Sequence, residues 1–385
     1  MTRFADRTGP IRLGMVGGGQ GAMIGAVHRV AARLDGQFRL VAGALSSTEE
    51  KARASAAKLG LPMDRSYSDY VEMAKREARL KDGIEAVSIV VPNHLHFPVA
   101  REFLKRGIHV ICDKPLTGTL VDAKKMKTTV GKSDALFILT HNYTGYPLIR
   151  EAQARIARGD LGEIRVVKVE YAQDWLAEAP APDNKQADWR LDPERAGAGG
   201  ATGDIGTHAW NLMRFVTGLT PQALAADLQS FVPGRALDDN ANIMVRFDGG
   251  ARGILWCSQV AAGEENNLSL RVYGTKAGIE WRQEDPNRLF VTPVGGATEI
   301  VTRASAATTR GSRRLTRIPP GHPEGFLEAF ANIYGEAAQA ITAARTGAPL
   351  PEDVTFPSVN DGVEGVTFVD ACVRSSKRNA AWVTL

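Results

Sequence analysis

Directly after the apolar stretch 11–16 the chain runs through Gly17-Gly18-Gly19-Gln20-Gly21-Ala22, and a helical pattern follows over 25–34. Few folds place so many glycines between a strand and a helix. Gly17 permits a tight turn, Gly19 lets backbone N–H groups come close to a pyrophosphate, and the helix N-terminus favours negative charge. The spacing is Gly-x-Gly-x-x-Ala, a weak signal by itself; its position at the first strand–helix junction is what gives it weight.

The segments around this corner alternate. Strand-like runs at 11–16, 37–44, 86–91, 108–112 and 137–140 are separated by helical patterns at 25–34, 48–59, 68–78, 97–105 and 119–131. Near-continuous apolar strands between helices predict a parallel sheet covered on both faces, a Rossmann-type doubly wound α/β domain. After Asn142 the pattern changes. A helix over 146–158 precedes an alternating strand at 164–171, then a Pro/Gly/Ala-rich loop at 177–203 and an amphipathic helix at 204–217. Strands at 241–247, 251–259, 268–273 and 278–281 are joined by short turns such as Asp248-Gly249-Gly250, which predicts antiparallel pairing. Residues 298–317 read as an exposed basic connection, and helices at 324–345 and 358–374 close the chain. The expected organisation is a dinucleotide-binding domain at 1–141 and an α+β domain with a large, mostly antiparallel open sheet at 142–385, as the length of 385 residues suggests.

Composition narrows the function classes. A net charge of +4 without any block of like charges, and Lys124, Lys125 and Lys127 sharing a helix with Asp122, describe a solvated face rather than a nucleic-acid footprint. No apolar run approaches the roughly 18–20 residues that cross a bilayer. Met1 to Pro10 carries Arg3, Asp6 and Arg7 without an apolar core, so no secretory leader is read there and a cytoplasmic location is expected. Cys112, Cys257 and Cys372 show neither paired nor metal-ligand spacing, and Cys112 reads as a buried thiol. No metal site is expected.

Ligands of a doubly wound sheet collect beyond the carboxyl ends of its strands. Two such ends stand out: Pro92-Asn93-His94-Leu95-His96, and Asp113-Lys114-Pro115, where a lysine before a proline continues neither sheet nor helix. The Lys114–Pro115 bond is a candidate for the cis form. The second strand ends Ala42-Gly43-Ala44-Leu45-Ser46-Ser47-Thr48 with no carboxylate in place for a ribose. Glu49 is distant, Ser46 and Ser47 suit a ribose or a phosphate, and the choice of NAD or NADP stays open. Further on, Asp204 and His208 in Gly203-Asp204-Ile205-Gly206-Thr207-His208 stand at i and i+4, on one face of a helix start. A carboxylate beside an imidazole suits general-base work, although an N-capping Asp with an incidental His explains the spacing equally well.

In this order and spacing the glycine turn with Gly25 and His28, the Pro92–His96 segment, Asp113-Lys114-Pro115 and Gly203–His208 resemble the glucose–fructose oxidoreductase/inositol dehydrogenase (Gfo/Idh/MocA) family over nearly the whole chain. The resemblance implies an NAD- or NADP-dependent oxidoreductase acting on a secondary hydroxyl, with Lys114, Asp204 and His208 at the catalytic positions. It implies cofactor contacts at Gly17, Gly19, Gly21, Ala22, Met23, Ile24, Ser46, Ser47, Pro92, Asn93, His96, Asp113, Lys114 and Asn142. Tyr143, Gln173 and Trp175 would join Lys114, Asp204 and His208 around the substrate, while Trp189-Arg190 and His322 fit a place near the cofactor or substrate and a purely structural role equally well. The motifs Tyr171-Ala172-Gln173-Asp174-Trp175 and Pro320-Gly321-His322-Pro323-Glu324-Gly325 are similar to members acting on levoglucosan, glucosides or inositols, so a sugar or cyclitol substrate is implied. This chain departs from the pattern in having Asp113 for the usual glutamate and three extra residues before Gly25. Two other readings of the same fold are a dinucleotide-binding sensor without catalysis and a redox-assisted glycoside-cleaving or epimerising enzyme. An open sheet face would suit a homodimer or homotetramer.

Overall fold

The computed structural model describes residues 9–181 and 184–385. Most of the N-terminal segment read above as lacking a leader therefore lies outside the described residues. The chain forms two compact units: Met1–Thr117, Val121–Asn142 and Phe326–Val363 in the first; Gly118–Leu120, Tyr143–Gly325 and Glu364–Leu385 in the second.

In the first unit, strands β1 (Ile11–Gly17), β2 (Phe38–Ala44), β3 (Ala86–Val90), β4 (His109–Cys112) and β5 (Phe137–Leu139) make a parallel sheet of order β2-β1-β3-β4-β5. β3, β4 and β5 are buried along their whole length, as strands covered on both faces must be. The strand order reverses direction at β1, so the crevice beyond its carboxyl end is the ligand position of this topology.

The unit does not end at residue 141. The helix Phe326–Thr346 carries Phe330, Ile333, Tyr334, Ala337 and Ile341 as one apolar stripe, packed with Ile11, Leu13, Ala31, Phe38, Ile111 and Ile138. The Tyr334 hydroxyl donates to Ser88 Oγ at 3.1 Å and lies 2.8 Å from His28 Nδ1. The two-segment division expected from the sequence is corrected accordingly. A helix far along the chain completes this core beside the helix Met23–Leu34, whose Ala31 and Ala32 lie in the same cluster.

The second unit holds β6 (Ile164–Ala172), β7 (Pro221–Gln229), β8 (Asn240–Phe247), β9 (Arg252–Ser258), β10 (Asn267–Gly274), β11 (Ala277–Arg282), β12 (Arg288–Pro293), β13 (Glu299–Thr302) and β14 (Val383–Thr384). They form one sheet of order β13-β12-β11-β10-β6-β9-β8-β7-β14, antiparallel except for the β6–β9 pair. The helices Pro147–Ala157 and Thr207–Thr217 cover one face, and Trp210 stacks on Phe368 at 4.6 Å. On the other face Met244, Ile254, Tyr273 and Ile300 are exposed.

Several segments differ from expectation. Residues 298–317 contain β13 and a short helix, Arg310–Arg313, and Arg303 is buried against Glu324 rather than exposed. The expected loop 177–203 carries the short helices Lys185–Arg190 and Pro193–Ala196, capped by the Asn184 and Asp192 side chains. β7 escapes pattern reading because its alanine-rich sequence lacks the β-branched residues that mark strands. Among the described residues no helix is long and apolar enough to cross a membrane.

Candidate active site

The corner after β1 is built from missing side chains. Gly17 sits at φ +78, and a Cβ there would lie 2.3 Å from the Val90 carbonyl oxygen. The Ala22 N–H donates to Gly19 O at 3.1 Å, and the helix starts at Met23 with no side chain capping it, so no capping group competes for its first N–H donors. A Cβ on Gly25 would fall 2.4 Å from Gly18 Cα, so this glycine lets the helix settle against the corner. The three extra residues thus move the close-packing role from Ala22 to Gly25. Met23 is exposed, while the Ile24 side chain packs into the core and leaves only its backbone for a ligand. Arg29, one turn along the helix, donates from Nη1 to Gly18 O at 2.6 Å and braces the corner; the Gln20 N–H is held by Ser55 Oγ at 3.2 Å. Sequence reasoning singled out neither brace.

At the β2 end Leu45 is buried, Ser46 Oγ accepts the Thr48 N–H at 3.3 Å, and Ser47 is exposed. No carboxylate stands there; Glu49 is on the next helix, 3.8 Å from Arg53. Pro92 and the buried Asn93 follow β3. His96 differs from expectation. Its ring is fully enclosed, with Nδ1 2.8 Å from Pro115 O and Nε2 2.9 Å from Val91 O, so it ties the loop after β3 to the loop after β4. Burial lowers its pKa.

The Lys114–Pro115 bond is cis. Beside it, Asp113 accepts the Thr140 hydroxyl at 2.9 Å and lies 3.5 Å from His28 Nε2. Burial works against its charge, but the His28 imidazole and the Lys114 ammonium hold the carboxyl well below the usual range. Lys114 is half-buried at the strand end. Burial pushes His141 down to about 4. Asn142 is buried, and its Nδ2 finds no acceptor among the described residues. A glycine corner that side chains would fill, uncapped helix N–H groups and a buried amide donor with no acceptor together fit a dinucleotide.

In the second unit the segment carrying Asp204 is not an α-helix start. Thr202–Gly206 is a π-helical turn that leads into the α-helix Thr207–Thr217, a local irregularity frequent at functional sites. Asp204 Oδ2 accepts from Arg190 Nε at 3.2 Å and from Gln259 Nε2 at 3.0 Å. The Arg190 guanidinium also lies over the Trp189 ring, 4.4 Å from its centroid. The buried His208 ring meets Tyr143 edge-on, with centroids 4.8 Å apart. From Tyr143 a chain of hydrogen bonds runs to Tyr171 (2.5 Å), from Tyr171 to Asn266 Oδ1 (2.9 Å), from Gln173 Nε2 to the same oxygen (2.7 Å) and from Trp175 Nε1 to Gln173 Oε1 (3.0 Å).

The structure thus joins Tyr143, Gln173 and Trp175 in one network that meets His208, with Asp204 beside it on the same turn. It does not bring in His322, which sits on an exposed loop whose carbonyl is held by Arg303. Gln259 and Asn266 went unread, since neither lies in a patterned motif. All three cysteines are free and buried, and burial pushes their thiols up. Among the described residues no cluster suits a metal ion.

Residues 11–141 match the oxidoreductase family with an NAD-binding Rossmann fold, and residues 149–280 match the GFO/IDH/MocA C-terminal domain. The chain belongs to the Gfo/Idh/MocA oxidoreductase family. The NAD-binding match covers the part of the first unit that carries β1 to β5. An oxidoreductase from Sinorhizobium meliloti is 59% identical, with a TM-score of 0.90 over 98% of this chain and 100% of that one. An inositol dehydrogenase homolog from Azotobacter vinelandii, solved with NADH and myo-inositol, is 38% identical, with a TM-score of 0.93 over 98% of both chains. Levoglucosan dehydrogenase of Pseudarthrobacter phenanthrenivorans is 28% identical over 97% of each sequence. A relative named levoglucosan dehydrogenase and an inositol dehydrogenase homolog thus align over 97% and 98% of this chain.

Proposed function

We propose that this Gfo/Idh/MocA protein is an NAD-dependent dehydrogenase that oxidises a secondary hydroxyl of a sugar, anhydrosugar, glycoside or cyclitol, or reduces the matching ketone. The observation that carries this reading is the buried His208 ring against Tyr143, in a unit that also holds Asp204, Gln173 and Trp175. Aromatic faces suit the C–H patches of a sugar or cyclitol ring, and amide and hydroxyl groups read its hydroxyls. The relatives named for levoglucosan and for inositol support the substrate class.

Gly17, Gly19, Gly21 and the N–H groups of Ala22, Met23 and Ile24 would hold the pyrophosphate, with Ser46 and Ser47 near the ribose and Asn142 offering its buried Nδ2. When bound, NAD supplies the nicotinamide that takes up the hydride. His208 accepts the hydroxyl proton on its imidazole. Asp204 keeps negative charge on the segment that carries His208, and Lys114 supplies positive charge for the developing alkoxide. The test is a plate of inositols, glucose, xylose, levoglucosan and simple glucosides with NAD+ or NADP+, followed by absorbance of the reduced cofactor. Reduction with at least one of these polyols is expected. Stoichiometric NAD binding without any reduction would overturn the dehydrogenase reading.

A further inference from the structure

The network around Tyr143 has a direction, which starts at Trp175 and is relayed by Asn266. The Trp175 indole nitrogen can only donate, and it donates to Gln173 at 3.0 Å, so the Gln173 carbonyl oxygen must face it. The Gln173 Nε2 is thereby turned to Asn266, which must present its own oxygen at 2.7 Å. The same Asn266 Oδ1 lies 2.9 Å from the Tyr171 hydroxyl, which has one hydrogen and must spend it there. Tyr143 lies 2.5 Å from the Tyr171 hydroxyl and also has Asn266 as a side-chain hydrogen-bond partner, so its own hydrogen is spent inward, on Tyr171 or on the Asn266 oxygen. Each amide orientation in this chain follows from its neighbour, starting at a group with no alternative.

We infer that Asn266 is a positioning residue that fixes the polarity of the substrate site, committing the Tyr143 hydrogen inward so that the Tyr143 oxygen meets a ligand only as an acceptor. The inference rests on the proposed function, which makes a polyol the ligand. Tyr143 is 3% exposed and touches the His208 ring, so the group it meets is the one that reaches the bottom of the site beside His208. That group is a hydroxyl that donates. A fluorine, an ether oxygen or a ketone there has no hydrogen to give and is rejected. The polarity thus selects a free hydroxyl next to the reacting centre.

The experiment compares wild type with Asn266→Asp, which keeps an acceptor oxygen, Asn266→Leu, which removes it, and Trp175→Phe, which removes the group that starts the chain at an exposed position and so spares the fold. Steady-state kinetics are taken on the best polyol of the plate and on its monofluoro-deoxy analogues, one carbon at a time. In wild type and Asn266→Asp, fluorine at one carbon is expected to raise KM about tenfold, the scale of one lost hydrogen bond, with kcat little changed. In Asn266→Leu the Tyr143 hydrogen is released and that penalty should shrink to about threefold or less, with Trp175→Phe between. A fluorine penalty identical in all four proteins overturns the inference. A readout free of substrate keeps it distinct from the proposed function. In protein with 15N-labelled tryptophan, the Trp175 indole N–H resonance should move in Asn266→Leu and stay in Asn266→Asp. An unmoved resonance in Asn266→Leu overturns the directed chain even if no polyol is ever oxidised.

Discussion

Arg190 donates from Nε to Asp204 Oδ2 over 3.2 Å, and both side chains are mostly enclosed, 20% and 16% exposed. The guanidinium is itself held by Gln186 through its backbone and side-chain oxygens, each at 2.9 Å. A carboxylate held this way cannot swing, so the charge beside the His208 turn has a defined place. Arg190→Ala is expected to lower kcat about tenfold or more, the range for losing a hydrogen bond to a charged group, while KM for NAD+ stays unchanged. Equal kcat in the two proteins would remove Arg190 from the site's support.

Gly25→Ala tests the corner without touching any ligand group. The new Cβ would meet backbone on the Gly18 side at 2.4 and 2.5 Å, and backbone has little room to yield. Overpacking of this kind costs about 1–3 kcal/mol. The expected outcome is a lower Tm together with at least tenfold weaker NAD+ binding by titration calorimetry. Full NAD+ affinity in a variant of normal stability would show that the helix is free to shift.

Two buried histidines should make the fold sensitive to acid. Burial pushes His109 down to about 4, with the Arg345 charge adding to it, and burial brings His141 to about 4 as well. His109 Nδ1 also accepts the Leu136 N–H at 3.0 Å, a bond that protonation there would break. Since an unfolded histidine titrates near 6.5, the unfolded chain binds the extra protons between about pH 6.5 and 4. Stability from these groups is therefore complete above about pH 6.5 and is lost as pH falls toward 4, by up to about 3 kcal/mol for each. Urea unfolding at steps from pH 4.5 to 7.5 should show this rise. His109→Gln should flatten it, and equal slopes in the two proteins would refute the assignment.

The late helix Phe326–Thr346 should be required for the first unit to fold. Residues 1–142 alone leave the face that takes Phe330, Ile333 and Ile341 open to water. That fragment is expected to unfold without cooperativity in urea, and joining residues 326–363 through a flexible linker should restore a sigmoidal transition. Cooperative unfolding of the fragment by itself would contradict the packing. Tyr334→Phe in the full chain should cost about 1–3 kcal/mol, because it strips a partner from the buried Ser88 and His28.

What could be read from residue order alone was what neighbours along the chain decide. The glycines at 17, 19 and 25, the apolar runs of β1 to β5 and the proline after Lys114 act over a few positions, and the corner, the parallel sheet and the Lys114–Pro115 geometry followed from them. β7, β13 and the short helices within 177–203 stayed hidden because their local preferences are weak and tertiary packing overrides them.

Contacts between distant residues belonged to the tertiary structure alone. Nothing near Phe330 announces a partner three hundred positions earlier, and nothing around Asn266 marks it as the oxygen shared by Tyr171 and Gln173. Nor does the sequence around His96 show that its two ring nitrogens lie between Val91 O and Pro115 O. Local periodicity specifies which face of an element is apolar. Which surface that face meets, and where a buried donor finds its acceptor, is set only when the whole chain closes and every enclosed polar group must be satisfied at once.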